Sequence, residues 1–158
     1  MNKKILALLV LVVIASMSTA FAFDLNDITN ALSGNAKDDT VTISGIHFKI
    51  PDGFKEVANE SVENKPSENP YLNYTTSSKA FANDKNDEII IGVSNSSIKA
   101  NDSFAEAASI GGNKTTINGV NGYTFSDHGF EGFTYAKDGQ LVIIVATNKQ
   151  LINNIVMA

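Results

Sequence analysis

The sequence predicts an α+β fold: an antiparallel sheet of about five to seven strands, flanked by a mid-chain helix and a C-terminal helix and preceded by an N-terminal signal helix. Three observations carry this. Leu141, Val142, Ile143, Ile144, Val145 and Ala146 are apolar on both parities, so a strand here has no side that suits water and must be covered on both. The run is too short to cross a bilayer and is β-branched, which favours strand over helix. The pairs Asp138-Gly139 and Asn118-Gly119 supply the positive φ angles of two-residue hairpin turns, so Gly129–Ala136 pairs with the apolar run, and Lys114–Ile117 pairs with Val120–Ser126. Two segments then change to helical spacing with capping residues in place.

Taken in order, Phe23–Ser33 sets Leu25, Ile28 and Leu32 on one helical stripe, and Gly34–Thr40 is a polar linker. In Val41–Ile50 the apolar parity switches at Ser44-Gly45, which predicts a tight turn or bulge at Gly45. Pro51-Asp52-Gly53 ends that strand. Phe54–Pro70 is polar and acidic and reads as an exposed loop with one helical turn near Lys55–Val62. Tyr71–Ala82 and Glu88–Ser94 read as an antiparallel pair joined by the turn-tolerant Asn83–Asp87.

Ser103 and Glu106 have the spacing of a capping box, with Phe104, Ala105, Ala107, Ala108 and Ile110 as the apolar face and Gly111-Gly112 as the stop. Asp127–Gly132 reads as an irregular connection into the strand at Phe133–Ala136. Asn148 can cap a terminal helix whose stripe is Leu151, Ile152, Ile155 and Val156.

Composition narrows the function. The chain has 158 residues, 43% of them hydrophobic, enough for one domain with a core. A net charge of -5, with every basic residue a lysine, argues against nucleic acid as a partner and removes bidentate guanidinium recognition. Cysteine is absent, which removes thiol nucleophiles, thiolate metal sites and disulfides.

The first residues read as a secretion signal: Lys3 and Lys4, an apolar Ile5–Ala15, and small residues ending in Ala20-Phe21-Ala22. This divides the chain into a signal peptide, 1–22; a short helix and linker, 23–40; and an α+β domain, 41–158. The competing reading is an uncleaved anchor, weakened by Ser16, Ser18 and Thr19. In that case 1–22 is the only membrane contact and the protein is a tethered structural module. Cleavage leaves ten lysines against seventeen acids, a net of -7. Asn59, Asn73, Asn95, Asn101 and Asn113 each open an N-x-[ST] triplet, candidate glycosylation acceptors that a chain rich in Asn, Ser and Thr also produces by chance.

Chemical constellations are sparse. Ser126-Asp127-His128 contains the residue types of a hydrolytic triad, but triads are assembled from distant segments, so these read as a polar turn. His47, between Ile46 and Phe48, reads as the outward residue of a strand. Asp84, Asp87 and Glu88 are the best oxygen ligands for Ca²⁺, without the spacing or glycine of an EF-hand. The glycines form neither a P-loop nor a dinucleotide fingerprint, and no cofactor is expected. Phe125, Phe130, Phe133 and Tyr135, near His128, are candidates to line a ligand groove, although aromatics at strand spacing are more often core.

Val41–Phe54 with its Ile-Pro-Asp-Gly-Phe end, Thr116–Tyr123, Phe133–Ile143 and the closing Leu-Ile-Asn-Asn-Ile-Val together resemble small secreted domains of methanogenic archaea. The order of elements is similar to that of the PsbP-like α+β sandwich. The resemblance covers Val41–Ala158 and implies an antiparallel sheet flanked by helices outside the cytoplasm. It implies no activity, because its motifs are turns and core positions. The expectation is therefore a non-catalytic secreted or cell-surface binding or adaptor domain, with a protein, glycan or small-molecule partner outside the membrane. The rival is an envelope-associated hydrolase using Asp127, His128 and loop carboxylates.

Overall fold

The computed structural model describes residues 40–67 and 73–157. Residues 1–22, read from sequence as a secretion signal, and the Leu25–Leu32 stripe lie outside the described residues. Among these residues the chain is mostly antiparallel sheet with two α-helices, an α+β architecture. In chain order the elements are β1 (Thr40–Ile43), β2 (Ile46–Lys49), β3 (Lys55–Glu56), a 3-10 turn (Ala58–Glu60), β4 (Val62–Pro66), β5 (Tyr74–Ala82) and β6 (Glu88–Ser96). They continue with α1 (Asp102–Ala108), β7 (Asn113–Ile117), β8 (Val120–Asp127), β9 (Phe130–Lys137), β10 (Gln140–Ala146) and α2 (Lys149–Ile155).

Four hairpins turn on two residues each: Ser44-Gly45, Asn118-Gly119, His128-Gly129 and Asp138-Gly139. All eight residues have φ between 48° and 87°. Two positive φ angles match the right-handed twist of the flanking strands, and glycine at the second position meets the requirement without steric penalty. The parity switch at Gly45 is thus a turn rather than a bulge. Asp127–Gly132, read from sequence as irregular, is a regular hairpin: His128 accepts the left-handed conformation, and β8 and β9 pair from Asp127–Phe130 onward.

The main sheet has eight strands in the order β3-β5-β6-β10-β9-β8-β7, with β4 also pairing with β5. β1 and β2 form a separate two-stranded ribbon. The count exceeds the expected five to seven because the polar stretch after Phe54 is not a loop. Lys55–Glu56 and Val62–Pro66 share the outer edge of β5, with an irregularity in register between Val62 and Lys65. Every residue of β4 is exposed, and it carries Glu63, Lys65 and Pro66. Such an edge strand shields its open side with charge and proline, which leaves no apolar alternation to read.

β10 takes the middle place between β6 and β9 and is buried on both faces: Ile143 is 2% and Ile144 0% exposed. One face packs Ile89, Ile91, Phe133, Tyr135, Val142 and Ile144 against the ribbon residues Ile43, Ile46 and Phe48 and the α2 stripe Leu151, Ile152, Ile155 and Val156. The other packs Ile90, Tyr123, Leu141, Ile143 and Val145 with Phe104, Ala105 and Ala108 of α1. The α2 cap is as expected, the Asn148 side chain accepting from the Leu151 amide at 3.2 Å.

The α1 cap is not. Asn101 is the N-cap, its Oδ1 accepting from the Ser103 and Phe104 amides at 3.1 and 3.3 Å. The expected capping box at Ser103 fails because an Asn two residues earlier starts the helix sooner, which places Ser103 inside the first turn. Ile110, assigned from sequence to the apolar face, lies past the helix end and is 70% exposed.

Candidate functional site

The end of α1 builds an unusual lip. The Ser109 hydroxyl donates to the Glu106 carbonyl at 2.6 Å and accepts from the Gly112 amide at 3.1 Å, so one buried side chain ties the helix terminus to the chain leaving it. The chain reverses through Ile110 at φ 50° and Gly111 at φ 85°. Glycine at the second position is the ordinary helix stop. A β-branched residue at the first is a steric outlier, since its branched Cβ crowds the backbone there. Gly112 then passes against β8 so closely that a Cβ on it would run into the Thr124 carbonyl oxygen and the Ser109 side chain.

This lip borders a cleft of about 390 Å³. Its floor is the outer edge of β8. β7 begins at Asn113, opposite Thr124, whereas β8 runs on to Asp127. Continued register would place Gly111 opposite Ser126, but the chain has already turned into the lip. Phe125 lines the cleft over Gly132, its partner on β9. A Cβ built on Gly132 would meet Cζ and both Cε carbons of Phe125 at nearly equal distances, so the ring lies face-down on the glycine and its plane is fixed.

The polar wall is Asn113, Ser126, Asp127, Glu131 and Lys149. The Ser126 hydroxyl donates to Glu131 Oε2 at 2.9 Å, and Asp127 Oδ1 lies 2.7 Å from His128 Nδ1. Each carboxylate therefore keeps one oxygen clear of these contacts. With Lys149 beside them, the wall offers both acceptors and an ammonium donor.

A second polar cluster is structural. Asp102 Oδ2 accepts from Lys114 Nζ and from the Tyr123 hydroxyl, both at 2.9 Å, and Lys114 Nζ lies 5.6 Å from the Tyr123 ring centroid. The Lys114 hydrogen bond, then that of Tyr123, holds the Asp102 carboxyl below its usual range, and Asp102 raises Lys114 in return. The cluster clasps the start of α1 onto β7 and β8.

The residues proposed from sequence separate. Phe133 and Tyr135 do not line a groove: they are fully buried on the α2 face, with ring centroids 5.4 Å apart. Burial pushes the Tyr135 phenol well above its ordinary value. Phe130 packs on the opposite face, as strand alternation requires of an even position when 133 and 135 are inward on the other. His128 projects from a hairpin tip, its side chain 89% exposed. Of the aromatic set, Phe125 alone reaches the cleft.

Asp84, Asp87 and Glu88 are not gathered around a common point. Asp87 Oδ2 accepts from Asn83 Nδ2 at 3.0 Å, and its Oδ1 accepts from Thr147 and Asn148 at 3.1 and 3.4 Å, which ties the β5–β6 turn to the exit of β10. Burial raises the Glu88 carboxyl. Among the described residues no group of three or more His, Asp or Glu could hold a metal ion. His47 is an exposed strand residue whose Nδ1 meets Thr42 Oγ1 at 2.8 Å. Asn59, Asn73, Asn95, Asn101 and Asn113 are all exposed, and the Asn101 side chain is occupied in capping α1.

Sequence reasoning missed Ile110, Glu131 and Lys149 as site residues. They come from three separated segments, and the one available signal was Ile110-Gly111-Gly112, where an apolar residue abuts two glycines at a helix end. No family model, curated protein or solved structure matches this chain.

Proposed function

We propose that this chain is a non-catalytic binding domain that works outside the cytoplasm and seats its ligand in the cleft between the Ile110 lip and Phe125. The observation that carries the reading is Ile110 itself. An exposed β-branched side chain held at φ 50° beside an open cleft opposes both solvation and backbone preference. Strain of that kind persists where a site uses it. The basic, apolar and small-residue succession of residues 1–22 supports the extracytoplasmic location, as does the resemblance of the sequence to small secreted domains.

The hydrolase reading draws on the Asp127–His128 contact, but the adjacent hydroxyl of Ser126 donates to Glu131. The test is twofold. N-terminal sequencing of the native protein is expected to give Phe23 first; Met1 intact on a cytosolic product overturns the location. Assays on chromogenic esters, phosphates and glycosides are expected to show no turnover, and turnover abolished by His128→Ala overturns the binding reading in favour of the hydrolase.

A further inference from the structure

We propose that the cleft is a saccharide-binding subsite, with Phe125 as the stacking platform and Ile110 as an opposing clamp; this rests on the binding reading above. Four features converge on that ligand class. The Phe125 ring packs face-on against Gly132, so it offers a ligand in the cleft a flat apolar plate backed by the sheet. The C–H face of a pyranose carries slight positive charge and suits the negative face of an aromatic ring. A sugar hydroxyl both donates and accepts, and the wall supplies the Asn113 amide, one carboxylate oxygen each from Asp127 and Glu131, and the Lys149 ammonium. The volume, about 390 Å³, falls in the range of small-molecule sites, roughly 300–1,000 Å³.

Other ligand classes fit less well. Two carboxylates against one lysine disfavour an anion. A bare cation finds only two carboxylates, each already sharing an oxygen with Ser126 or His128. A purely apolar guest would strip water from that polar wall without replacing its hydrogen bonds. A neutral ring with one apolar face and a polar rim satisfies both sides of the cleft.

The experiment is a ¹⁵N NMR titration of the mature full chain with the methyl glycosides of glucose, galactose, mannose and N-acetylglucosamine, with glycine, leucine and trialanine as comparison probes. At least one glycoside is expected to shift the amides of residues 110–113 and 124–127 saturably, with Kd on the order of millimolar for so open a site. Phe125→Ala should weaken that binding about tenfold, the equivalent of one stacking contact. Ile110→Gly should also weaken it, while raising Tm by a few degrees because the strained φ is relieved. A purely structural Ile110 would leave affinity unchanged.

Saturable shifts at the same amides from an amino acid or trialanine, with none from any glycoside, overturn the saccharide class and leave a binding site in place. Shifts elsewhere, or none from any probe, overturn the site. Ile110→Gly keeps the test decisive if Phe125→Ala unfolds.

Discussion

Replacing Ile144 and Ile143 one at a time with alanine tests the layered architecture on each face of β10 separately. Ile144 lies opposite Ile91 and Phe133 and packs beneath the ribbon and α2, with 0% exposure. Ile143 lies opposite Gly92 and Thr134 and packs with Phe104, Ala105 and Ala108 of α1. Each change deletes three buried carbons, about 2.4 kcal/mol at roughly 0.8 kcal/mol per methylene. The cavity left behind adds about 1–1.5 kcal/mol, for a total of about 3.5–4 kcal/mol, inside the range measured for Ile→Ala in cores. That is between about a quarter and four-fifths of a typical domain stability of about 5–15 kcal/mol. In urea, with m near 2 kcal/mol/M, the midpoint should fall by about 1.5–2 M with m unchanged. Ile143 is set among smaller cross-strand neighbours, so its cavity is closed mainly by α1, and its loss should expose α1 to faster amide exchange. A loss under about 1 kcal/mol at either position would mean that its face is open to water, and the reasoning from continuous apolarity to a doubly covered strand would fail with it.

Four further outcomes follow from single contacts. Thr134→Val should stabilise by about 1 kcal/mol in urea melts, because the Thr134 hydroxyl is fully buried with no hydrogen-bond partner and valine keeps the shape and β-branching. Asn148→Ala should lose about 1 kcal/mol and fray α2 in amide exchange, since its side chain caps the Leu151 amide. Gly122→Ala should lose about 1–3 kcal/mol, because a Cβ there meets the Thr134 carbonyl and the Phe133 ring. Asp102→Asn should flatten the acid limb of Tm against pH. Its folded pKa is lowered by Lys114 and Tyr123, so its contribution is full above the ordinary carboxyl range near pH 4 and disappears as pH falls through the depressed value; an unchanged acid limb would remove the clasp from the account.

Much of the fold was legible because two local rules operate without tertiary help. The hairpin pairs Asn118-Gly119 and Asp138-Gly139 fix turn and register together, and the two-parity apolarity of β10 fixes its central place. The rules failed where the deciding partner is distant. β4 is a strand only because β5 offers it an edge, and nothing in Val62–Pro66 alternates toward a core it never touches. His128-Gly129 was read as irregular because histidine is an uncommon first residue of such a turn, although its short polar ring tolerates the left-handed region. The start of α1 slipped because the Ser103–Glu106 spacing fits a capping box by itself, whereas Asn101 acts as the cap only once the extended chain entering the helix aims its side chain at the Ser103 and Phe104 amides.

The cleft was illegible for a different reason: it is defined by where β7 stops. Periodicity reports which side of an element is apolar, and by that measure Ile110 continued the face set by Phe104, Ala107 and Ala108. What excludes it is the reversal at Ser109, where the hydroxyl joins the backbone bonds that close the helix two residues before Ile110 and turn the next side chain out to solvent. The same reversal ends the pairing of β7 at Asn113, leaving Ser126 and Asp127 paired with β9 alone and opening, on their other side, the space that Phe125 lines. Strained lip, exposed strand edge and fixed aromatic plate are therefore one construction with a single origin at Ser109. Ser109→Ala should show this: by removing the hydroxyl's bonds to the Gly112 amide and the Glu106 carbonyl, which retain backbone bonds to Ser109 at 3.2 Å, it should shift the amides of both the lip and β8, and lower the stability by about 1 kcal/mol. If the β8 amides stay where they are while the lip relaxes, the cleft is held by Gly112 against Thr124 alone, and the single-origin account is wrong.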